Sequence, residues 1–315
     1  MNPNVAYKLP SNFFEKTRKT LHFHGNQSLI RVREMGCFVF NPKLIKPVFV
    51  IGCSRAGTTL VYKTFSEARD LGSLHRESHD FWSELHPPSE HNWDTHATPE
   101  SAVCSADRDF VSKYFFTQSG RRRIVDKNNQ NGLSIAYLHG LFPDAHFVYV
   151  KRSPGDNIHS LIEGWKKANM FATWSDNLPA KVNIEQGLFQ RWCFFLAEGW
   201  RDYIDRPIEE VCAFQYRAMN QAILRAKPAI PTKQWHEVHY EDLISNPVKK
   251  FETLVNTCDV AFDPNLKKHC SEVLNKPYNT FSEIRVDKWK DSHNREKIER
   301  IMPTVESTTN AMGYS

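Results

Sequence analysis

One short stretch, residues 47–65 (PVFVIGCSRAGTTLVYKTF), constrains the fold more than any other part of the chain. Its apolar run at residues 48–51 is short and rich in β-branched side chains, which predicts a buried strand. Gly52 and Gly57 bound the loop that follows, and the apolar spacing within residues 60–65 predicts a helix. A strand, a glycine-bounded loop and a helix together favour binding of a phosphate. Backbone N–H groups turn inward in such a loop, and the helix N-terminus adds partial positive charge.

The loop has the glycine spacing of the nucleotide-triphosphatase motif G-x-x-x-x-G-K-[ST], but Thr58 stands at its lysine position. Thr59 matches the hydroxyl position, and the nearest cation is Arg55, inside the loop. A kinase or ATPase needs its lysine on the β- and γ-phosphates and its hydroxyl on Mg²⁺. The pattern therefore favours a single phosphate beside a reacting group over a triphosphate–metal complex.

From Gly52 to Leu60 the loop resembles the 5′-phosphosulfate loop of the sulfotransferases that use 3′-phosphoadenosine-5′-phosphosulfate (PAPS). With arginine in the loop it is most similar to the tyrosylprotein and bacterial enzymes, since the cytosolic enzymes carry lysine there. The resemblance implies PAPS as donor, 3′-phosphoadenosine-5′-phosphate (PAP) as product and no required metal. The loop residues that it implies as donor contacts are Arg55, Ala56, Gly57, Thr58, Thr59 and Leu60.

Glu77 occupies the position downstream of the loop at which the tyrosylprotein-type enzymes hold a catalytic base. Sulfuryl transfer to an alcohol or phenol needs a group that accepts the hydroxyl proton. Apolar neighbours raise the pKa of a carboxylate toward a useful range. A surface glutamate, or a partner of Arg76, is the alternative interpretation. His75 and His79 flank the position and are candidates to assist or replace the glutamate.

The run Asp-Lys-Asn-Asn-Gln-Asn at residues 126–131 follows a short predicted strand. It resembles the D-K-x-P-x-N element of these sulfotransferases, although the family's proline is missing. The resemblance implies that Lys127 is catalytic: it reaches the transferring sulfuryl group and stabilises its charge at the C-terminal end of a strand. An exposed loop lysine is the alternative.

A second strong element begins where the apolar run 146–150 ends and leads through Arg152 into a predicted helix. Ser153 suits the N-cap of that helix, and Pro154 suits its first position. In sulfotransferases an arginine and a serine at this separation hold the 3′-phosphate of the donor. The resemblance therefore assigns that phosphate to Arg152 and Ser160, through a bidentate fork and a short hydrogen bond.

Two further similarities lie toward the C-terminus. The Y-E-D-L pattern that begins at Tyr240 resembles an element near the adenosine of the donor, and core packing of this tyrosine is an equal alternative. Lys288 and Trp289 resemble a pair that closes over the donor's phosphates, which implies that both bind the cofactor. The resemblance covers about residues 46–314.

Residues 75–96 contain five histidines among aromatic and proline residues. Zinc is disfavoured because H-E-x-x-H is missing and no cysteine pair lies nearby. The composition predicts a loop or lid that walls an acceptor pocket, and a packed surface loop is nearly as good an interpretation. The substrate-binding residues predicted in this stretch are His75, His79, Phe81 and Trp82.

Composition excludes several classes of protein. Lys and Arg outnumber Asp and Glu by 41 to 36, and the net charge of +5 without a long basic run argues against nucleic acid binding. No apolar run approaches the ~18 residues of a membrane span. The first residues contain no apolar core and no small-residue cleavage site, so no secretory signal is expected. The seven scattered cysteines, odd in number and without C-x-x-C, predict reduced thiols in a cytoplasmic protein.

The sequence thus predicts an α/β fold: a central, mainly parallel sheet flanked by helices in the three-layer sandwich of P-loop sulfotransferases. Residues 47–315 would form the catalytic domain, and residues 1–46 an N-terminal extension packed on it. Within that extension a strand is predicted at 36–40, and a short helix would be anchored by Phe13, Phe14, Leu21 and Phe23. Predicted strands of the sheet lie near 47–51, 123–126, 146–150 and 235–239. Predicted helices lie at 98–116 with Thr98 as N-cap, at 184–225 with a break near 206, and at 295–312.

The predicted reaction moves a sulfuryl group from PAPS to an acceptor hydroxyl, on a small-molecule alcohol or phenol. Two rivals remain open. One is a Mg²⁺-dependent nucleotide kinase or hydrolase with a degenerate loop, and the other is a non-catalytic nucleotide-binding protein. The sequence does not identify the acceptor among natural products, sugars, lipids and protein tyrosines, and a homodimer is also left open.

Overall fold

The computed structural model describes residues 27–37, 39–275 and 284–314, and its centre is one parallel sheet. The strands are β1 (Val48–Ile51), β2 (Val125–Lys127), β3 (His146–Lys151) and β4 (Trp235–His239). They lie in the order β2-β1-β3-β4, and every pair is parallel. The predicted fold class and the four predicted strands of the sheet are confirmed.

The strand order reverses at β1, because β2 lies on one side of β1 whereas β3, the next strand along the chain, lies on the other side. Val48 marks the register, since it is the partner of Val125 on one side and of His146 on the other. Ligands of open α/β sheets bind outside the C-terminal ends of the strands at such a reversal. The loop after β1 leaves the sheet at this point.

Helices cover both faces of the sheet, and single-turn 3₁₀ segments join several of them. The α-helices of the described chain are α1 (27–36), α2 (Thr58–Ser66), α3 (His79–Leu85), α4 (Ser105–Ser119), α5 (Ile135–Leu141), α6 (Pro154–Trp165), α7 (Ala168–Phe171), α8 (Ile208–Ala226), α9 (Tyr240–Ser245), α10 (Pro247–Thr257), α11 (Pro264–Glu272) and α12 (Arg295–Ala311). Within the part of the chain that the structure describes, no helix combines the length and the apolar character needed to span a membrane.

Alternate residues of the central strands face opposite sides of the sheet and build two buried clusters. One cluster joins Phe49 and Phe147 to residues of α6, α8 and α12. The other joins Val50 and Val148 to residues of α2, α10 and α11. Because both faces are covered, β1 and the middle of β3 are continuously apolar, which is why short apolar runs predicted these two strands.

The predicted helix 98–116 is wrong at its start. A 3₁₀ turn, Glu100–Ala102, comes first, and α4 begins only at Ser105. The sulfur of Cys104 accepts the N–H of Asp107 and caps α4, so the cap is a cysteine and not the predicted Thr98.

The predicted helix 184–225 is wrong over its first half, because only Ile208–Ala226 is helical. Glu185, Gln186 and Phe194 have positive φ, which a helix excludes. Side chains satisfy the backbone of this irregular segment: the indole of Trp192 donates to the carbonyl of Phe195 at 2.7 Å. The aromatic residues are buried as predicted, but in a loop.

The strand proposed at residues 36–40 is also not formed. The chain is helical through residue 36 and turns at residues 37 and 39, and Phe38 lies outside the described residues. The predicted anchors Phe13, Phe14, Leu21 and Phe23 lie outside them as well.

Candidate active site

The loop after β1 depends on two glycines with positive φ. A Cβ at Gly52 (φ 153°) would lie 2.7 Å from the carbonyl oxygen of Val150, and one at Gly57 (φ 101°) would lie 2.3 Å from the ring of Tyr240. Both contacts are too short for any other residue type. Gly57 is the N-cap of α2 and has no side chain to occupy the first N–H groups of that helix. These groups suit an anion.

Arg152 follows β3 and is fixed against the loop. Its Nη1 donates to the carbonyl oxygen of Arg55 at 2.8 Å, and its Cζ lies 4.4 Å from the ring centre of Tyr240. The buried Nε of Arg152 and the buried Oγ of Ser54 have no hydrogen-bond partner among the described residues. Buried polar atoms in proteins nearly always have partners, so these two atoms indicate a polar ligand at the loop.

Arg55 connects the loop to α6 and α7. Its Nε donates to Oγ of Ser160 at 3.4 Å, and its Cζ lies 5.3 Å from the ring centre of Phe171. Burial and the nearby Arg152 lower the pKa of Arg55 to about 10, so the guanidinium stays protonated at neutral pH. Two largely buried guanidinium groups near one another form a site for an anion that carries more than one charge.

Glu77 and Lys127 form an ion pair beside the loop. The Lys127 Nζ lies 2.6 Å from Oε1 of Glu77 and 3.5 Å from Oγ1 of Thr59. Burial raises the pKa of Glu77, but Lys127, helped by His79 and Arg55, outweighs it, so the pKa lies below its ordinary value. The expectation that apolar neighbours would raise this pKa is therefore wrong. Glu77 is an ionised carboxylate at neutral pH, able to accept a proton.

A buried carboxylate that the sequence did not single out holds the Glu77 segment in place. Asp126 accepts hydrogen bonds from the hydroxyl of Ser78 (2.5 Å), the indole of Trp82 (2.9 Å) and the amide of Asn131 (3.0 Å). Because Asp126 and Lys127 are adjacent in β2, these bonds fix the position of Glu77 relative to Lys127. The only sequence signal was the Asp-Lys dipeptide itself.

Two of the four predicted substrate-binding residues pack inward. Phe81 and Trp82 are each 7% exposed, and the ring of Phe81 stacks on Tyr114 with 4.0 Å between centroids. The indole of Trp82 donates the hydrogen bond to Asp126 that is described above. The two side chains therefore lie behind the Glu77 segment, in contact with the core.

The two predicted histidines differ from each other in their surroundings. His75 is exposed, and its carbonyl accepts a hydrogen bond from Nζ of Lys63 at 2.8 Å. His79 begins α3 and lies 3.2 Å from a carboxylate oxygen of Asp80. Of the two, His79 is the one that lowers the pKa of Glu77.

Aromatic side chains from the irregular segment and α7 line the other side of the loop. The rings of Phe171 and Phe194 lie 5.1 Å apart, and the carbonyl of Phe194 accepts a bond from the Asn129 amide at 2.6 Å. These contacts place an apolar wall next to Arg55. Its position depends on long-range packing that residue spacing did not reveal.

A C-terminal segment closes over the start of α6. The carboxylate of Asp156 accepts the backbone N–H groups of Asp287 (2.8 Å) and Trp289 (3.2 Å). The indole of Trp289 covers Gly155, where a Cβ would lie 2.3 Å from Nε1. Lys288 lies between Asp287 and Trp289 in the sequence. Burial together with Arg152 lowers the pKa of Lys288 to about 8. The structure thus brings Lys288 and Trp289 to the same site as Arg152.

The predicted Ser153 cap does not form a side-chain bond, although Pro154 does begin α6. Instead, the N–H of Ser153 donates to Oε1 of Glu241 at 2.9 Å, and the hydroxyl of Tyr314 donates to Oε2 at 2.8 Å. Glu241 thereby joins α6, α9 and the C-terminus around Tyr240. Sequence analysis noted this glutamate only as part of the Y-E-D-L pattern.

The family of this chain follows from comparison with known proteins. The model of the sulfotransferase family matches residues 47–264, well over half of the chain, so the chain belongs to the sulfotransferase family. No curated protein matches it significantly in sequence.

Three solved structures to which this chain is similar are also sulfotransferases. Sulfotransferase STF9 from Mycobacterium avium has a TM-score of 0.52 at 13% identity, covering 84% of this chain and 77% of that one. A sulfotransferase from Alicyclobacillus acidocaldarius has a TM-score of 0.49 at 16% identity, covering 86% and 98%. Mouse SULT7A1, solved in complex with PAP, has a TM-score of 0.45 at 12% identity, covering 90% and 92%. At 13% identity the likeness to STF9 shows the fold alone.

Proposed function

We propose that this sulfotransferase uses PAPS as its donor and transfers the sulfuryl group to the hydroxyl of a small-molecule alcohol or phenol. One observation carries the proposal: the ion pair of Glu77 and Lys127, 2.6 Å long, lies beside Thr59 of the phosphate loop. A proton acceptor and a cation next to a phosphate site are the two groups that sulfuryl transfer to a hydroxyl requires.

The residues of the loop fit the donor. Arg152, Ser160 and Lys288 would hold the 3′-phosphate, and Arg55 with the backbone of residues 56–60 would hold the 5′-phosphosulfate. The buried atoms Arg152 Nε and Ser54 Oγ have no hydrogen-bond partner among the described residues. They support this fit, since both can bond to an anionic ligand. When bound, PAPS supplies an activated sulfuryl group on a phosphate leaving group.

Glu77 acts as the base. Its pKa is below the ordinary value, so it is ionised when the acceptor arrives and takes the hydroxyl proton as the new oxygen–sulfur bond forms. The sulfur–oxygen bond to the phosphate breaks in the same in-line displacement, and the electron pair leaves on PAP. Lys127 and Arg55 stabilise the charge on the transferring group.

The proposed class of acceptor rests on the apolar wall formed by Phe171 and Phe194. Phe171, in contact with Arg55, and Phe194 offer apolar surface where an acceptor ring or chain would lie. The histidine at position 79 is close enough to affect Glu77 electrostatically and would face the same acceptor. Because Phe81 and Trp82 are in contact with the core, we do not propose that they contact the acceptor directly.

Calorimetric titration with PAP, with ADP plus Mg²⁺ as control, tests the donor. We expect PAP to bind and Arg152→Ala to weaken it at least tenfold, because a charge-assisted contact is lost. Preference for ADP with Mg²⁺ would overturn the donor assignment and favour a kinase.

Turnover with labelled PAPS and a panel of alcohols and phenols tests the reaction. Glu77→Gln should lower turnover by about 10²–10⁴-fold while PAP affinity stays within about twofold. Glu84→Gln, on the exposed side of α3, is the matched control and should retain activity. Unchanged turnover in Glu77→Gln would contradict the base assignment. PAP binding by the wild type without transfer to any member of the panel would contradict the acceptor class.

A further inference from the structure

Three side chains with metal-ligand chemistry meet at the end of the sheet opposite the phosphate loop. His146 is the first residue of β3, His236 is the second residue of β4, and Cys258 is the C-cap of α10. Their ligand atoms all lie within 4.8 Å of one another, and all three residues are buried. Because β3 then runs toward Arg152, the length of a strand, about 20 Å, separates this cluster from the proposed active site.

The two imidazoles contact each other through one ring nitrogen each. Nδ1 of His146 and Nε2 of His236 are 2.9 Å apart, and the rings are stacked with centroids 5.2 Å apart and an angle of 10°. Only one of the two nitrogens can carry the proton of that contact, so the other presents a lone pair toward it. Sulfuryl transfer uses neither ring, and a hydrophobic pair would fill this position without the cost of burying polar groups.

We propose that His146, His236 and Cys258 form a structural binding site for a zinc ion that joins β3, β4 and α10. Two imidazoles and a thiolate are ligands that Zn²⁺ prefers, and water completes a tetrahedral set. The thiol of Cys258 releases its proton as the ion binds, so the bound ion and the thiolate together add one positive charge.

The observed spacing is close to what such a site needs. Ligand atoms around a tetrahedral Zn²⁺ lie about 3.3–3.7 Å apart, given metal–ligand distances of about 2.0–2.3 Å. The imidazole nitrogens must therefore separate by a few tenths of an ångström, and the thiol must approach by about 1 Å. Both adjustments are within side-chain rotation.

The charges around the cluster are balanced before the ion binds. His146 experiences the positive charges of Arg123 and Lys46 and the negative charges of Asp144 and Asp259. Arg123 is itself engaged, donating to the carbonyl of Asp259 at 2.6 Å and also to that of Cys258. These bonds hold the Cys258 turn against the strands, which orders the third ligand before the metal arrives.

Cobalt titration of the full chain tests the site. After treatment with a chelator, the wild type should bind one equivalent of Co²⁺, with thiolate-to-cobalt charge-transfer absorption in the near ultraviolet and intense tetrahedral bands in the visible. Zn²⁺ should abolish both. The charge-transfer absorption should be lost in Cys258→Ser, and the cobalt affinity should fall at least tenfold in His236→Gln.

Cys270→Ser is the matched control, because Cys270 is also 0% exposed and packs in the same cluster of the core. It should keep the full cobalt spectrum. Zinc at 100 times its dissociation constant should raise the unfolding temperature of the wild type and of Cys270→Ser by about 5 °C, and that of Cys258→Ser by much less.

Two results would overturn the proposal. One is the lack of thiolate–cobalt absorption in the wild-type protein, a result that does not depend on the folding of any variant. The other is an unchanged spectrum in Cys258→Ser, which would locate cobalt elsewhere. PAP titration in parallel keeps this proposal separate from the sulfotransfer reaction, since the cluster lies at the opposite end of the sheet.

Discussion

Arg152 and Tyr240 form a cation–π contact, with the guanidinium carbon 4.4 Å from the centre of the tyrosine ring. The same ring lies against Gly57, where a Cβ would be 2.3 Å from Cδ2. One aromatic side chain thus contacts both the phosphate loop and the arginine proposed to hold the 3′-phosphate. The shape of the loop and the position of Arg152 are therefore coupled through Tyr240.

Gly57→Ala should disrupt both parts of the donor site. The new methyl group would displace Tyr240 and with it the support of Arg152, so we expect PAP affinity to fall at least tenfold in calorimetry. Gly187→Ala separates this effect from backbone strain, because Gly187 has a similar φ of 94° but only an ordinary contact at 3.5 Å. That control should lose about 1–2 kcal/mol of stability and keep its PAP affinity. Equal PAP affinity in Gly57→Ala and the wild type would disprove the coupling.

Lys127→Met should change the pH dependence of the reaction in a specific direction. Lys127 lowers the pKa of Glu77, while burial raises it. Without the lysine, burial dominates and the pKa rises, so Glu77 becomes protonated at a higher pH. The acidic limb of the kcat/KM profile should therefore move to higher pH. The plateau should also fall by about 10²–10³-fold, because the group proposed to stabilise the transition state is lost.

The pH profile distinguishes this mechanism from a simple loss of structure. A misfolded Lys127→Met variant would lose activity at every pH and bind PAP weakly. A variant with the wild-type position of the acidic limb would show that Lys127 does not control the protonation of Glu77. Comparison of the two profiles with one acceptor and saturating PAPS provides the measurement.

Lys288 should make PAP binding depend on pH above neutrality. Burial and Arg152 lower the pKa of Lys288 to about 8, and only its charged form attracts a phosphate. Bound PAP raises that pKa, so binding near pH 8 takes up a proton, and affinity falls as the pH rises through 8. Calorimetry in buffers with different ionisation enthalpies measures this uptake.

The neighbouring lysine supplies the control for that measurement. Lys288→Met should weaken PAP binding and abolish the proton uptake. Lys290→Met should do neither, because Lys290 is exposed and pairs with Asp287 at 2.7 Å. Proton uptake of the same size in Lys288→Met would assign it to another group.

The sequence predicted the centre of the sheet well because β1 and most of β3 are short apolar runs bounded by loop residues, at residues 48–51 and 146–150. It did not predict the chain path at 184–199, where the aromatic spacing fits a helix. There the loop is stabilised by distant partners, such as the amide of Gln215, which donates to the carbonyl of Cys193 at 2.9 Å. Such pairing depends on the fold and leaves no local pattern.

The residues of the candidate site were also predicted from the sequence only in part. Motif resemblance named Glu77 and Lys127 separately, but only the fold shows that they are 2.6 Å apart. Asp126 and Asp156 were not identified as part of the site, because each acts by accepting N–H or O–H groups from segments remote in sequence. A buried carboxylate with such partners looks like any other aspartate until the tertiary structure is known.

Asp156→Asn should loosen the segment that covers the donor site. Both carboxylate oxygens accept backbone N–H groups, from Asp287 and Trp289, and asparagine offers only one acceptor oxygen. One N–H would face the NH₂ group, so amide exchange in residues 284–291 should accelerate and PAP affinity should fall about tenfold, as expected for loss of a hydrogen bond to a charged group. Asp291→Asn is the control, because Asp291 is exposed and its carboxylate pairs with Arg285 in the same segment, at 2.9 Å. Its effect on both measurements should be small. Equal exchange rates in the two variants would show that Asp156 does not hold the segment.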